Sequence, residues 1–171
     1  MGSPVDYDTH YRAGRGVCGE PFDEVVRFME RQYRPGARLL DLGCGQGRDS
    51  LVAARIGYSV VGVDLSTVGL EQLAHDAKRE RLSIEVHEHD VTTFRSRKRF
   101  DFVLFDRVLH LLMTDDERRE ALVNAQRLAR KHAAIAVADG PKHSPLIRSF
   151  FDAHPTWTIV KRNSRFLFAT R

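Results

Sequence analysis

The sequence predicts a single-domain α/β fold, a doubly wound and mostly parallel sheet with an antiparallel C-terminal edge. Three observations predict it. Short apolar runs alternate with amphipathic stretches; successive runs end on an acid, at Asp41, Asp64, Asp90 and Asp106, with Asp139 ending a fifth; and the first run leads into the turn Gly43-Cys44-Gly45-Gln46-Gly47. Strands that alternate with helices imply parallel strands covered on both faces. A chain of 171 residues fits one core, since folding at that size removes roughly 70% of the unfolded surface from water. Residues 1–34 are expected to form an N-terminal lid and helix, and residues 37–171 the core of one domain covering 1–171.

From Pro21 to Tyr33 the apolar residues Phe22, Val25, Val26, Phe28 and Met29 recur at helical spacing, with acids early and Arg31 late as the helix dipole prefers. Pro35-Gly36 ends that helix, and Arg38 to Leu42 is a buried strand. The next helix carries Leu51 to Ile56 and stops at Gly57, a residue suited to the left-handed position beyond a helix. Ser59 to Val63 is β-branched and ends at Asp64. A helix over Leu70–Glu80 follows, then strands Ile84–Glu88 and Phe100–Phe105. Asp115 is the expected cap of a helix over Asp116–Lys131, and Ala133–Ala138 is the fifth strand. Ser144-Pro145 opens a helix, with proline where its missing donor costs nothing. Thr156–Val160 and Arg165–Thr170 form two strands turned around Asn163.

Composition narrows the function classes. No segment is apolar for long enough to span a bilayer, so no membrane association is expected. Cys18 and Cys44 make neither a disulfide framework nor a zinc-type pair, which predicts a reducing, cytoplasmic setting and no metal. Met1 to His10 lacks the apolar core of an export signal, and Asp6 stands where a myristoylation site takes Ser or Thr. The formal charge of +4 is spread along the chain and not gathered into a tail, which argues against nucleic acid as a partner.

In an open parallel sheet the ligand crevice lies beyond the carboxyl ends of the strands. Glycines there let the backbone pass beneath a bound molecule, and the following helix offers unpaired N–H groups to a carboxylate. Asp64 is placed to accept from both hydroxyls of a ribose; Asp90 is placed to accept from an adenine amine. Together these contacts describe a nucleoside joined to an amino acid. Dinucleotide binding fits less well, because its third glycine would fall at Arg48. Each residue also has a purely structural reading: Asp64 as a turn residue, Asp90 as the cap of Asp-Val-Thr-Thr, and His110 as a helix histidine beside Leu109 and Leu111.

The run Leu40-Asp41-Leu42-Gly43-Cys44-Gly45-Gln46-Gly47 closely resembles motif I of the class I S-adenosylmethionine-dependent methyltransferases, which are Rossmann-like in fold. The continuation Arg48-Asp49-Ser50-Leu51, with Gly57-Tyr58-Ser59-Val60 and Val63-Asp64-Leu65-Ser66, is most similar to the tellurite-resistance and thiopurine-type branch. The resemblance spans Arg38 to Asp139 and implies S-adenosylmethionine as cofactor. It implies that Gly43, Cys44 and Gly45 approach the methionine part and that Asp41 holds its ammonium or an adjacent water. Asp64 would take the ribose hydroxyls, Leu65 would pack on the adenine, and Asp90 with the Val91 N–H would read its edge. Asp106, Arg107 and His110 follow the fourth strand, where such enzymes contact methionine and acceptor. Tyr7, Tyr11 and Phe22 lie in a segment that in this family folds over the cofactor, although plain helix packing accounts for them equally.

Methyl transfer from a sulfonium is an in-line displacement, so the protein's main task is positioning. Soft thiol, selenol or tellurite acceptors need no base; for others His110 is the candidate base, and Arg107 with Arg12 or Arg15 would attract an anion. The chain has no Asn-Pro-Pro-Tyr or Asp-Pro-Pro-Tyr, Phe105-Asp106-Arg107-Val108 standing there instead, and no Pro-Cys nucleophile. A small-molecule acceptor is therefore expected. The alternatives are a nucleic-acid or protein methyltransferase working through the basic surface or a partner, and a non-catalytic cofactor-binding subunit. The sequence sets no oligomeric state.

Overall fold

A computed structural model describes residues 6–171; the reading of the extreme N-terminus as lacking an export signal or lipid anchor falls largely on residues 1–5, outside them. The elements are α1 (Tyr7–Arg12), α2 (Asp23–Gln32), β1 (Arg38–Leu42), α3 (Arg48–Ile56), β2 (Ser59–Asp64), α4 (Thr67–Glu80), β3 (Ile84–Glu88), β4 (Phe100–Asp106), α5 (Asp115–Leu128), β5 (Ala129–Ala138), α6 (Ser144–Asp152), β6 (Thr158–Arg162) and β7 (Phe166–Thr170). Single 3-10 turns, Leu109–Leu111 and Pro141–His143, precede α5 and α6.

The strands form one sheet in the order β3-β2-β1-β4-β5-β7-β6. Pairing is parallel from β3 to β5 and antiparallel for β7 against β5 and β6. The mostly parallel sheet with an antiparallel C-terminal edge is therefore present. From β1 the chain winds outward through β2 and β3, then returns to lay β4 on the other side of β1. That reversal opens a crevice beyond the carboxyl ends of β1 and β4.

Strand periodicity splits the core in two. Leu40, Leu42, Val61, Val63, Val103, Phe105, Ile135, Val137 and Leu167 face α5 and α6, while Leu39, Val60, Phe102, Leu104, Ala136 and Phe168 face α2 and α3. Every residue of β4 is buried, as a central strand covered on both faces requires. Phe28 of α2 stacks on Phe168 with ring centres 4.7 Å apart. Leu70 and Leu73 of α4 form a smaller cluster with Cys44.

Helices α3 and α4 each start three residues earlier than expected, at Arg48 and Thr67, and both ends of α5 differ from expectation. The cap of α5 is Thr114 and not Asp115: Thr114 and Glu117 form a reciprocal capping box, satisfying two N-terminal donors where one aspartate would satisfy fewer. The same helix ends at Leu128, short of Lys131, because Ala129 turns extended and enters β5 opposite Phe100. Arg171 then donates to the carbonyls of Gln126 and Ala129, meeting acceptors that further helix would have met.

Candidate functional site

A cavity of about 990 Å³ occupies the crevice, at the upper end of the roughly 300–1,000 Å³ usual for small-molecule sites. Its wall is built from strand ends and the loops after them: Gly43 and Cys44 after β1, Asp64 and Leu65 after β2, Asp90 and Val91 after β3, and Asp106, Arg107 and His110 after β4. Tyr7 and Tyr11 of α1 and the loop from Arg15 to Pro21 close the front. Of the expected site residues, Asp41, Gly45 and Arg12 do not line it.

The glycine turn is tied to the second strand. Gly43 and Cys44 donate backbone N–H groups to the Val63 carbonyl, at 2.8 and 3.1 Å. Gly43 has φ +84°, and a Cβ there would meet Val108 at 2.4 Å; Gly45 has φ +50°, and a Cβ there would meet the Tyr11 hydroxyl at 2.3 Å. A side chain at either position would therefore displace the wall or the covering helix. Asp64 spans two turns, accepting from Gly45 N–H and Ser66 N–H at 2.8 Å each. Burial raises its pKa above the ordinary carboxylate value.

Asp41 lies beneath the turn, not on its surface. It is buried and accepts from Ser50 Oγ at 2.7 Å. Burial, with neighbouring Asp49 adding to it, pushes its pKa up to about 7.

Asp49 and Asp106 face Arg48 at the cavity wall. One Arg48 nitrogen, Nη2, lies 2.5 Å from Asp49 and 2.6 Å from Asp106. Asp49 Oδ1 and both oxygens of Asp106 are nevertheless buried with no well-aligned hydrogen-bond donor. Burial and then Asp49 push the Asp106 pKa up to about 8, against the pull of Arg48. Burial also raises Asp49, opposed by Arg48. Arg107 Nε lies 3.3 Å from the other Asp106 oxygen, so the wall is a recess of buried carboxylates compensated by two arginines.

The N-terminal segment is held over the turn by polar contacts. Asp8 accepts from Ser66 Oγ and Val68 N–H at the start of α4; Gln46 donates to the Gly14 carbonyl and accepts from Val17 N–H; Arg15 pairs with Asp76 at 2.5 Å. The Cys18 carbonyl accepts from both Arg48 and Arg107, at 3.1 and 2.6 Å. Arg107 adopts φ +56°, a left-handed conformation uncommon outside glycine. Its guanidinium lies over the Phe22 ring at 5.4 Å. Tyr11 is buried beside Tyr7, and burial raises the pKa of both phenols. Arg12 points outward toward Asp8 at 3.6 Å, away from the cavity.

Two further residues carry the turn reading and the site reading at once. Asp90 Oδ1 caps the turn by accepting from Thr92 N–H and Oγ1, while Asp90 itself stays on the cavity wall. His110 also lines the cavity, and its ring and backbone N–H both meet Asp139.

Sequence reasoning missed the clamp of Arg48 on Asp49 and Asp106. Arg48 entered it as the residue that displaces a third glycine and as part of the continuation Arg48-Asp49-Ser50-Leu51, with no partner assigned. A buried Arg-Asp pair at a helix start, facing a strand-end acid, was the available signal.

The profile of a family described as "Methyltransferase domain" matches residues 39–132. A ubiquinone biosynthesis O-methyltransferase of Pelagibacter ubique (strain HTCC1062) is 37% identical over 82 residues, covering 48% of this chain and 34% of that protein. The chain spans about half or less of the length of the curated relatives it matches, 53% for a protein of Geobacillus sp. (strain WCH70). Among solved structures, TehB from Haemophilus influenzae superposes with a TM-score of 0.71 at 16% identity, over 96% of this chain and 67% of TehB. The 1,6-didemethyltoxoflavin-N1-methyltransferase of Burkholderia thailandensis, solved with 1,6-didemethyltoxoflavin and S-adenosylhomocysteine bound, superposes with a TM-score of 0.73 at 19% identity, over 100% and 91%.

Proposed function

The chain belongs to the methyltransferase domain family, with the class I fold, and on that premise we propose that it is an S-adenosylmethionine-dependent methyltransferase acting on a small-molecule acceptor. The observation that carries this reading is the gathering of the glycine turn, Asp64, Leu65, Asp90 and Asp106 around one cavity. The donor set fits the cofactor. Asp49 Oδ1, buried and with no aligned hydrogen-bond donor among the described residues, suits a cationic ligand, beside Asp106, whose oxygens face Arg48 and Arg107. Each oxygen of Asp64 accepts a single backbone N–H, and a carboxylate has about four lone-pair sites, which leaves capacity for ribose hydroxyls. Leu65, 68% exposed at the cavity edge, offers an apolar surface to a planar base.

When bound, S-adenosylmethionine supplies an electrophilic methyl carbon on a sulfonium. The protein's part is to hold and orient. Gly43 and Cys44 would carry the methionine part, Asp64 and Leu65 the nucleoside, and Asp90 with Val91 the adenine edge. Tyr7, Tyr11 and the loop to Pro21 would keep water from the reacting groups. A soft thiol, selenol or tellurite needs only such positioning, which Arg107 can assist; an acceptor with O–H or N–H also needs a base.

The test is transfer of labelled methyl from S-adenosylmethionine to panels of small acceptors, nucleic acids and proteins, at low and high salt. Transfer to small acceptors with little salt dependence is expected. Transfer confined to nucleic acid and collapsing with salt, as phosphate contacts require, would point to the basic surface instead.

A further inference from the structure

Asp139 directly follows β5 and is almost fully buried, yet neither the glycine turn nor the acidic recess uses it. Its Oδ2 accepts the backbone N–H of His110 at 2.9 Å, and its Oδ1 accepts the backbone N–H of Gly140 at 2.6 Å. The same Oδ1 lies 3.0 Å from His110 Nδ1. Two backbone donors already require Asp139 to accept, so the ring contact is a donation from Nδ1–H. That fixes the tautomer, and Nε2 keeps its lone pair. The side chain is 40% exposed and lines the cavity, and among the described residues Nε2 takes no hydrogen-bond partner. The other ionisable groups around this turn are Asp106 and Arg107 after β4, Asp115 and Arg118 of α5, and Lys142 and His143 before α6. None of them bonds the ring, and Arg118 is committed to the carbonyls of Leu109 and Leu112.

Resting on the methyltransferase reading, we infer that His110 is the general base, that Asp139 is its positioning residue, and that the acceptor is therefore a neutral O–H or N–H nucleophile, not a thiolate or tellurite. A soft anion would have no use for an oriented, buried-carboxylate-backed imidazole. In the step this assigns, the acceptor proton moves to Nε2, and the acceptor's freed electron pair forms the bond to the methyl carbon donated by S-adenosylmethionine. The carbon–sulfur bond breaks with its pair on sulfur. The imidazolium left behind is balanced by the Asp139 carboxylate, as in a hydrolase triad.

The experiment pairs spectroscopy with kinetics on the full chain. Proton–nitrogen correlation spectra of the imidazoles, with the His110 signals identified by their loss in His110→Gln, should show Nδ1 protonated and Nε2 bare, and Asp139→Asn should redistribute the two forms. Turnover of S-adenosylmethionine should occur with phenols, catechols or amines and not depend on thiols. His110→Gln should lower kcat by about 10²-fold or more and abolish the acid limb of its pH profile, with the Kd for S-adenosylhomocysteine unchanged. An Nε2-protonated tautomer in the wild type, or turnover confined to 2-mercaptoethanol, thiophenol or tellurite and indifferent to both variants, overturns the inference while leaving the methyltransferase reading intact. Failure of the wild type to bind S-adenosylhomocysteine overturns that reading instead.

Discussion

Arg48, the first residue of α3, places Nη2 2.6 Å from Asp106, the last residue of β4. The same nitrogen holds Asp49, and both carboxylates are buried with Arg48 largely so. Removing one member of a buried charged cluster leaves the rest uncompensated, at a cost of about 3–5 kcal/mol. Arg48→Met should therefore lower the urea midpoint sharply. Adding Asp49→Asn and Asp106→Asn should recover part of the loss, whereas a strictly additive triple variant would show that the three act separately.

Stability should fall as pH rises across neutrality. Burial raises Asp106 to about 8 and Asp41 to about 7, above the ordinary value of 3.8 expected in the unfolded chain. The folded state then binds more protons than the unfolded state between roughly pH 4 and 8, so stability is full below that window and is lost on passing up through it. Urea melts at pH 5, 6, 7 and 8 measure the slope. Asp106→Asn should flatten it; an unchanged slope in that variant would remove Asp106 as a contributor.

A cation in the acidic recess favours the ionised form of Asp106, whose pKa burial raises to about 8. Binding of S-adenosylmethionine at pH 7 should therefore release a fraction of a proton, and S-adenosylhomocysteine, which has no sulfonium charge, should release less. Calorimetry in phosphate and in Tris reads the difference through the buffer enthalpies. Equal enthalpies in both buffers for both ligands would place the positive charge away from Asp106.

Leu65 is exposed and belongs to none of the hydrophobic clusters of the described residues. Leu65→Ala should leave stability within about 0.5 kcal/mol of the wild type. Covering a leucine with a ligand recovers about 1.5–3 kcal/mol, so affinity for S-adenosylhomocysteine should drop by about tenfold or more. An unaltered Kd in a normally folded variant would remove Leu65 from the adenine site.

Much of this was legible along the chain because the informative residues are strand ends. An apolar run that stops at an acid states both where the strand ends and what faces the crevice, which is how Asp64, Asp90, Asp106 and Asp139 could be read. Contacts made across the crossover left no such trace. The pairing of His110 with Asp139 joins residues 29 apart in sequence, and the clamp of Arg48 on Asp106 joins α3 to β4; each needs β4 laid beside β1 and β5. Arg12 was misplaced for a local reason: of the six residues of α1, Tyr7, Asp8, His10 and Tyr11 line the cavity, while Arg12 turns outward toward Asp8. The cap of α5 was readable as Thr-Asp-Asp-Glu but was assigned one residue late. Its end at Leu128 was not readable, because the acceptors beyond it are met by Arg171 at the far end of the chain.

The most direct measurement is calorimetric titration of the wild type and Asp64→Ala with S-adenosylmethionine and S-adenosylhomocysteine. Asp64 is where the two turns meet and where a ribose would be held. The account predicts that the wild type binds both ligands and that the variant, still folded by circular dichroism, binds each at least about tenfold more weakly, the loss expected from a charge-assisted hydrogen bond of about 1.5–3 kcal/mol. A wild type that binds neither ligand would contradict it and leave the glycine turn as a tight connection between strand and helix.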